Sequence, residues 1–364
     1  MGENTQTDKK NTGGFKAFLK RKDIEFSWKR YFIDAMGAMA SGLFASLLIG
    51  TILSTIGTQF NLTVLSDMGG YAKGVAGPAM AVAIAYALKA PNLVLFSMLA
   101  VGSAANTLGG AGGPLAVLVI AIIATELGKM VSKETRVDIL VTPLVTIGMG
   151  VLLSILLAPA IGKAASAVGQ LIMWATELHP FMMGILVSVI VGIALTLPIS
   201  SAAICAALSL TGLAGGAAVA GCCAQMVGFA FMSYKENKVS GLISQGIGTS
   251  MLQMGNIVKN PKIWIPPILT SAITGPIATC IFRMQMNGEA ISSGMGTCGL
   301  VGQIGVYTGW LNDIAAGTKS SITATDWIGL ILICFVLPAV LTWVFGQLLR
   351  KIGWIGEGDL TLDV

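Results

Sequence analysis

The chain has 364 residues, of which 54% are hydrophobic and 11% are charged, and its formal net charge at pH 7 is +5. Ordinary soluble domains carry roughly a quarter charged residues, whereas the mean hydropathy here is +0.81. A soluble core of this size cannot bury so many uncharged runs of about 20 residues. The composition therefore excludes a soluble globular domain and predicts an all-α, polytopic integral membrane protein.

The N-terminal segment is polar and basic, so we predict a cytoplasmic tail over residues 1–31. The apolar segment over residues 32–58 is too long for the core of a signal peptide and is predicted to be the first spanning helix. Residues 14–22 have two interpretations, a short amphipathic helix on anionic lipid or a flexible tail. The basic residues of the segment are Lys9, Lys10, Lys16, Lys20, Arg21, Lys22, Lys29 and Arg30.

Uncharged or nearly uncharged blocks recur along the rest of the chain. Some of them are too short, or too often broken by Gly and Pro, to cross a membrane as one straight helix. We therefore expect about eight to ten transmembrane helices together with re-entrant hairpins. The blocks cover residues 74–88, 91–125, 139–161, 181–209, 211–233, 263–282, 294–310 and 327–349.

Basic residues mark the segments that we expect on the cytoplasmic side. Lys129, Lys133 and Arg136 form one such loop, and Glu126 is expected at a solvated helix end beside it. If the basic groups lie inside, both termini are cytoplasmic and the number of full crossings is even. The predicted membrane domain covers residues 32–350, and a cytoplasmic C-terminal tail covers residues 351–364.

Cofactor and nucleotide motifs do not fit this chain. The six cysteines lie in apolar surroundings without a Cys-x-x-Cys pair and are expected to be small core residues. Gly294, Gly296 and Gly299 match Gly-x-Gly-x-x-Gly, but no βαβ unit surrounds them. We therefore predict no metal site, no cofactor, no nucleic-acid partner and no internal ATPase.

The first place where helix breakers meet polar side chains runs from Asn106 to Pro114 and contains Gly-Gly-x-Gly-Gly-Pro. A helix cannot continue through this pattern. Unwound backbone is tolerated at membrane depth only inside protein or along a wet cavity, which would place Asn106 near a ligand. The alternative is an ordinary turn between two helices.

The second place runs from Glu177 to Ala203 and contains His179, the only histidine of the chain. A carboxylate beside an imidazole at a membrane boundary suggests a function, although His179 and the proline after it could simply begin a helix. Pro198 interrupts the segment, and the nearby hydroxyls of Thr196, Ser200 and Ser201 could serve a ligand or repair the break.

The third place runs from Met286 to Gln303, and its glycines predict a tight hairpin dipping into the membrane. Glu289, Thr297 and Gln303 are the polar groups of this hairpin. Just upstream, Gln253 and Asn256 precede a proline-broken helix entrance over residues 260–267.

Phrases in these stretches resemble the membrane-embedded IIC subunits of the bacterial phosphoenolpyruvate-dependent sugar phosphotransferase system. The resemblance covers about residues 30–350, is specific as a set of phrases, and is greatest to a stand-alone branch that includes perfringolysin-regulator-like proteins. The phrases are Pro-Phe-Met-Met-Gly at 180–184, Leu-Thr-Leu-Pro-Ile-Ser-Ser-Ala-Ala at 195–203, Asn-Pro at 260–261, Ile-Pro at 265–266 and Gly-Met-Gly-Thr-Cys-Gly-Leu-Val-Gly at 294–302.

The resemblance implies a homodimer in the lipid of the bacterial plasma membrane. Each subunit would hold one sugar near the midplane and move it inward, and a phosphorylated IIB protein would then donate a phosphoryl group to it. Phosphorylation would depend on separate IIB and IIA proteins, so the chain would be at most the membrane subunit of a phosphotransferase. In related branches a glutamate and a histidine bind the sugar, which makes Glu177, His179 and Glu289 the candidates.

A small carbohydrate or polyol needs a hydrogen-bond partner for each hydroxyl that leaves water. Trp264 or Trp310 could add an aromatic platform, and no catalytic residue is assigned. Two other functions stay open, namely a sensor that keeps the pocket without phosphoryl transfer, and an ion-coupled transporter using His179 and Glu177. The predicted substrate-binding residues are Glu289, Glu177, His179, Asn256, Gln253, Thr196, Ser200, Ser201, Thr297, Gln303 and Asn106.

Overall fold

The computed structural model describes residue 14 and residues 16–362, so residues 1–13 of the tail predicted over residues 1–31, with Lys9 and Lys10, lie outside the described residues. In the described part, helices dominate and the only β-type pairing is one bridge between Gly212 and Met286. The all-α prediction is confirmed. The main helices are α1 (Lys29–Gln59), α2 (Thr63–Gly74), α3 (Ala76–Ala87), α4 (Asn92–Gly109), α5 (Gly113–Val131), α6 (Asp138–Thr176), α7 (Pro180–Thr196), α8 (Ser201–Ala207), α9 (Gly212–Met232), α10 (Tyr234–Ile243), α11 (Met254–Lys259), α12 (Pro261–Ile281), α13 (Val301–Ala315) and α14 (Ala324–Lys351).

Within the described residues, six helical stretches are long and apolar enough to cross a membrane. One of them, Asn92–Val131, consists of α4 and α5, which fold back on each other, since Thr125 Oγ1 lies 3.5 Å from Met98 Sδ. The shorter apolar helices α3 and α7 add to these. The polytopic membrane fold is therefore confirmed, with a helix number consistent with about eight to ten.

Small residues let the helices of the first bundle, α1 to α5, approach each other closely. A Cβ placed on Gly50 of α1 would lie 2.8 Å from the carbonyl oxygen of Gly69 in α2. Gly57 lies against Ser66 in the same way, so α1 and α2 run antiparallel. Contacts of this kind replace the hydrophobic driving force that helices lack in lipid.

The Gly-rich stretch at 109–114 is a turn between α4 and α5. Gly110 has φ +51° and ψ −122°, a conformation that favours glycine. Its neighbour Ala111 accepts a hydrogen bond of 2.9 Å from the backbone N–H of Ser200. The stretch is therefore a turn between two helices that is largely buried and contacts the Pro198 break, and a ligand beside it stays a prediction.

The second bundle, α7 to α14, encloses a return loop. Ser188 Oγ of α7 donates to the carbonyl oxygen of Ser271 in α12 at 2.7 Å. Thr196 lies near Gln225 and Ser188 near Gly221, so α7 and α9 run in the same direction. Because two consecutive parallel helices need a connection that returns along their length, residues 197–211 form a hairpin built around α8.

Helix α6 joins the two bundles and is 39 residues long with Pro143 and Pro159 inside it. At 1.5 Å per residue it extends about 58 Å, nearly twice the hydrocarbon thickness of a bilayer. Its first part packs against α4 and α5, and beyond residue 161 it packs against α7 and α8, with Gly169 next to Leu208. Helix α6 therefore links the bundles.

Both described ends of the chain lie at the same end of the molecule. Asn256 Nδ2 donates to the carbonyl oxygen of Thr361 at 2.8 Å, and Gly255 of the same short helix packs against Ile33 of α1. This arrangement agrees with an even number of crossings. The cytoplasmic side for both termini stays a prediction.

Three expectations are corrected here. Glu126 does not lie at a solvated helix end, because it is 8% exposed, accepts a hydrogen bond from Tyr31 and pairs with Lys129, which is 2% exposed. Residues 16–21 are helical, and Arg21 of this segment pairs with Glu134 at 2.7 Å, so the described part of the N-terminal segment is docked on the bundle. Five cysteines are buried as expected, whereas Cys280 is exposed.

Candidate binding cavity

A cavity of about 380 Å³ lies between the second half of α1, the return loop and the stretch from 289 to 308. Its volume falls in the range of small-ligand pockets. Hydroxyl, carboxylate, ammonium and amide groups share its walls with apolar side chains. The lining residues are Leu47, Thr51, Ser54, Thr55, Thr58, Gln59, Lys73, Ser200, Ala202, Ala203, Glu289, Ile291, Ser292, Met295, Val301, Ile304, Gly305 and Thr308.

Helix α1 gives this cavity a row of hydroxyls. Thr51, Ser54, Thr55 and Thr58 are spaced by three and four residues, which places them on one face of a helix. The three threonine hydroxyls donate to the carbonyl one turn earlier, at 2.7, 2.8 and 2.9 Å for Thr51, Thr55 and Thr58. Since each oxygen keeps lone pairs, the row can accept hydrogen bonds from ligand hydroxyls.

Of the three hydroxyl residues predicted near the Pro198 break, Ser200 lines the cavity, whereas Ser201 and Thr196 bond to other parts of the chain. Ser200 lines the cavity and caps α8 by accepting a hydrogen bond of 3.1 Å from the N–H of Ala203. Ser201 is buried and donates to the carbonyl oxygen of Gly294 at 2.7 Å. Thr196 is buried 2.8 Å from Ser250 Oγ, in contact with Gln225. The hydroxyls of Ser201 and Thr196 therefore join elements of the second bundle.

Glu289 lines the cavity at the end of an extended stretch that begins near Phe282. The bridge between Met286 and Gly212, and the close packing of Gly288 on Gly305, hold this stretch against α9 and α13. Among the described residues, the carboxylate of Glu289 has neither a hydrogen-bond partner nor an ion pair. It is therefore available to accept hydrogen bonds from a ligand.

Lys73 is a cavity residue that the sequence reasoning missed. It lies near the end of α2, just before α3 begins. Its aliphatic side chain packs against Gly50 of α1. The described part of the chain offers its ammonium no ion pair. Lys73 and Asp67 are the charged residues of α2 and α3, and a charge between apolar segments was the available signal, because it is costly in a membrane.

The hairpin at 294–302 is as tight as its glycines predict. Gly296 and Gly299 both have φ +53°, and Leu300 has φ +59°. The N–H of Gly302 donates to the carbonyl oxygen of Gly296 at 2.9 Å, which closes the hairpin. Positive φ values favour glycine, as at Gly296 and Gly299, and α13 begins at Val301 within this stretch.

Thr297 and Gln303 lie behind the cavity wall. Thr297 is fully buried with its hydroxyl 3.6 Å from Met226 Sδ. Gln303 is 7% exposed, its Nε2 lies 3.2 Å from Cys223 Sγ, and its Oε1 is unpaired in the described structure. Neither residue lines the cavity beside α1.

Gln253 and Asn256 hold the C-terminal tail. Gln253 Nε2 donates to the carbonyl oxygen of Leu360 at 3.0 Å, and Asn256 Nδ2 donates to that of Thr361. Trp264 similarly donates to Gln225 at 2.9 Å and does not line the cavity. These polar groups therefore have partners within the chain.

Glu177 and His179 are both exposed and lie just before α7, away from the cavity. Asn106 is half-buried on the last turn of α4, beside Gly113. Of the predicted residues, the cavity thus brings together Glu289 and Ser200. Substrate binding by any of the predicted residues stays a prediction.

The chemistry of the cavity suits a small polyhydroxylated molecule. Carboxylate and hydroxyl oxygens accept hydrogen bonds, the ammonium of Lys73 and the amide of Gln59 donate them, and Leu47 and Ile304 can cover carbon atoms. No group of three or more His, Cys, Asp or Glu that could hold a metal ion occurs in the part of the chain that the structure describes.

Comparison with known proteins points to a transport family. A family model described as "Phosphotransferase system, EIIC" matches residues 33–362, nearly the whole chain. No curated protein and no protein of known structure matches the chain.

Proposed function

The chain belongs to the phosphotransferase system EIIC family, and we propose that it carries a small carbohydrate or polyol inward through the cavity lined by Glu289. Family membership makes it a multi-pass membrane subunit of a sugar permease system. The observation that carries the proposal is the unpaired Glu289 carboxylate opposite the hydroxyl row of α1.

Glu289 would accept hydrogen bonds from two sugar hydroxyls, because a carboxylate has several acceptor sites and such charge-assisted bonds are strong. The threonines of α1 would accept further bonds, and Lys73 and Gln59 would donate to ring or hydroxyl oxygens. Leu47, Val301 and Ile304 would cover the carbon face of the sugar. This combination satisfies hydroxyls that lose their water on entry.

Transport would use movement between the two bundles. One wall of the cavity belongs to α1 and α2 of the first bundle, and the other belongs to the hairpins of the second bundle. A shift of the second bundle along the first would carry Glu289 and its sugar away from α1. Helix α6 packs on both bundles and would remain the link between them.

Phosphoryl transfer would take place at the cytoplasmic face. A separate phosphorylated IIB protein, recharged by a IIA protein, would donate its phosphoryl group to a sugar hydroxyl, and positioning would supply most of the catalysis. We place the end that holds the described termini on this side. The exposed apolar face of α6 would contact lipid and a second copy of the chain.

Uptake by membrane vesicles tests the proposal. Vesicles carrying the protein are loaded with phosphoenolpyruvate and the soluble phosphotransfer proteins, and radiolabelled sugars and polyols are offered outside. Accumulation of a sugar phosphate supports the proposal. Binding without phosphorylation would support a sensor instead, and uptake that needs only a proton gradient would support an ion-coupled carrier. The exposed positions of Glu177 and His179 outside the cavity do not favour the carrier.

A further inference from the structure

A second cavity, of about 440 Å³, lies at the end of the molecule opposite the described termini. Helix α12 begins next to Asn260, which donates to the carbonyl oxygen of Trp354 near the C-terminus, and runs 21 residues to Ile281. At 1.5 Å per residue this distance is about 30 Å. The second cavity begins at Phe282, directly beyond the far end of α12.

The sequence explains why one wall of this second cavity is polar. In the stretch after Phe282, Met286 is buried against α9, whereas Arg283, Gln285 and Asn287 line the cavity together with the mostly buried Met284. Successive side chains of an extended segment point to opposite faces. The alternation of Gln285 and Asn287 with Met286 therefore places two amides on one surface, and the guanidinium of Arg283 lies on the same cavity wall.

The opposite walls are held in place by an internal network. Asn287 Nδ2 donates to both carboxylate oxygens of Asp313 at 3.0 Å and to Gln285 Oε1 at 3.0 Å. Lys319 pairs with Asp326 at 2.9 Å, and Asp326 is fixed in a capping box at the start of α14. The polar groups are therefore ordered before any ligand arrives, which lowers the entropic cost of binding.

Arg283, Gln285 and Asp313 of the second cavity keep hydrogen-bonding groups that a ligand can use. The guanidinium of Arg283 has no partner among the described residues, and its backbone has φ +48°, a left-handed conformation that is unusual for arginine. Gln285 keeps its amide N–H groups, and Asp313 keeps lone pairs beyond those that Asn287 uses. The indole of Trp310 also lines the cavity but is only 4% exposed, with the Lys319 ammonium 6.0 Å from its ring centroid.

We propose that this second cavity is a carbohydrate-binding site, which takes a neutral sugar or polyol before it reaches the Glu289 cavity. Guanidinium, amide, carboxylate and indole groups together suit a neutral polyhydroxylated ligand. The charges of Arg283 and Lys319 are balanced by those of Asp313 and Asp326. Because the wall therefore has no net positive charge, it offers the phosphate of a lipid headgroup no net attraction, so a neutral sugar is favoured over a lipid.

The two cavities share one stretch of chain and one helix. Asn287 lines the second cavity and Glu289 the first, on either side of Gly288, whose backbone packs on Gly305. Helix α13 presents Thr308 to the first cavity and Asp313 to the second. A sugar bound by Arg283 would therefore lie next to the segment that carries Glu289, on the side that is extracellular if the termini are cytoplasmic. This inference rests on the proposed function of the Glu289 cavity.

Binding stoichiometry tests the second site. The full-length protein in lipid nanodiscs is titrated with radiolabelled glucose, N-acetylglucosamine, cellobiose, mannitol and galactitol. We expect two molar equivalents of one of these per chain for the unchanged protein. Arg283→Gln should bind one equivalent, at the Glu289 cavity, and Glu289→Gln should bind one equivalent, at the second cavity. The matched control Arg136→Gln changes an exposed arginine near the other end and should keep both equivalents. If Arg283→Gln does not fold, Gln285→Ala replaces it, because Gln285 is exposed.

The outcomes separate the two proposals. A single equivalent that is lost in Glu289→Gln and unchanged in Arg283→Gln overturns the second site and leaves the proposed function in place. Release of copurified phosphatidylglycerol by Arg283→Gln, with unchanged sugar stoichiometry, overturns it in favour of a lipid headgroup site. No binding of any of these sugars contradicts the proposed function and the second site together. In uptake, Arg283→Gln should raise KM several-fold, whereas the control Arg136→Gln should leave KM unchanged; an unchanged KM for Arg283→Gln contradicts a role of this site in uptake.

Discussion

Glu289 and Lys73 are the ionisable side chains among the described residues that line the cavity beside α1. Glu289 belongs to a hairpin of the second bundle and Lys73 to a helix of the first bundle. Ionisable groups within membrane helices are rare because they are costly, and those that occur usually serve a function. If the cavity binds a sugar as proposed, each bundle supplies one charged group to the same ligand.

Glu289→Gln should weaken sugar binding by about 10- to 100-fold, because it removes a charge-assisted hydrogen bond. Isothermal titration with the transported sugar measures the effect. Glu25→Gln is the matched control, since Glu25 is exposed before α1. Glu126 is unsuitable because it is buried with Lys129 and Tyr31. Equal effects of both substitutions would remove Glu289 from the site.

Lys73→Gln should lower affinity by about tenfold, and Lys73→Arg should keep most of it, because a cationic donor is retained. The comparison is made with Lys163→Gln, which changes an exposed lysine on α6. Ligand-induced shifts in Tm measure the difference. Unchanged shifts for Lys73→Gln would show that Lys73 does not contact the ligand.

Glu134 gives the N-terminal segment a dependence on pH. The hydrogen bond from Lys22, together with Arg21, lowers the pKa of the Glu134 carboxyl. Because the folded-state pKa is depressed, this stabilisation is present above the usual carboxyl pKa of about 4 and is lost as the pH falls through the folded value. Proteolysis within residues 16–22 should therefore accelerate in acid. In Glu134→Gln, cleavage should be fast at neutral pH as well, and unchanged protection would contradict this role.

At the scale of elements, the amide cluster around α11 acts as a clamp for the C-terminal tail. Asn256 bonds to Gln253 at 2.9 Å and to Thr361 at 2.8 Å, and Asn237 bonds to Leu360 at 2.8 Å and to Leu362 at 2.8 Å. Leu360 is fully buried. The tail is therefore a packed part of the bundle end that also contacts α1.

Asn256→Ala should lower the free energy of unfolding by about 1–3 kcal/mol, because buried hydrogen-bond partners lose their donor. Sugar affinity should stay unchanged, since Asn256 lies outside both cavities. Thermal unfolding and titration on the same sample measure the two quantities. Asn92→Ala, at an exposed position on α4, is the control. A loss of affinity without a loss of stability would return Asn256 to the substrate site.

At the scale of the whole molecule, α6 is the most exposed of the candidate membrane spans in the described residues. In its apolar 18-residue segment 22% is buried, compared with 39% for the corresponding segment of α14. Leu144, Ile155, Leu156 and Leu171 are exposed along it. An apolar face of this length suits lipid or a second copy of the chain. We place the interface of the proposed homodimer on this face.

Leu156→Lys should therefore reduce the dimer fraction, because a charge would be buried between the two copies. Light scattering of the purified protein in detergent measures the mass. Val340→Lys changes a similarly exposed apolar residue on α14 and should leave the mass unchanged. A dimer that survives Leu156→Lys and dissociates with Val340→Lys would move the interface to α14.

Much of the fold could be predicted from local pattern. Uncharged runs indicated the membrane helices, and Gly-rich or Pro-containing stretches marked the turn at Gly110, the Pro198 break and the Gly296 hairpin. These features depend on residues close together in the chain. The binding residues were harder to predict, because Gln253 and Asn256 have the same side-chain chemistry whether they bind a sugar or the C-terminal tail. Lys73 was missed because its cavity partners are far away in sequence.

The sequence by itself determined the class of the protein, because hydropathy and helix breaking are properties of short segments, and its phrases also pointed to the family. The tertiary structure alone decided which polar groups face one another. Glycine contacts such as Gly50 on Gly69 and Gly288 on Gly305 set how closely the helices and hairpins approach. These long-range contacts place Glu289 opposite the hydroxyl row of α1, bury Glu126 with Lys129 and leave His179 outside the cavity.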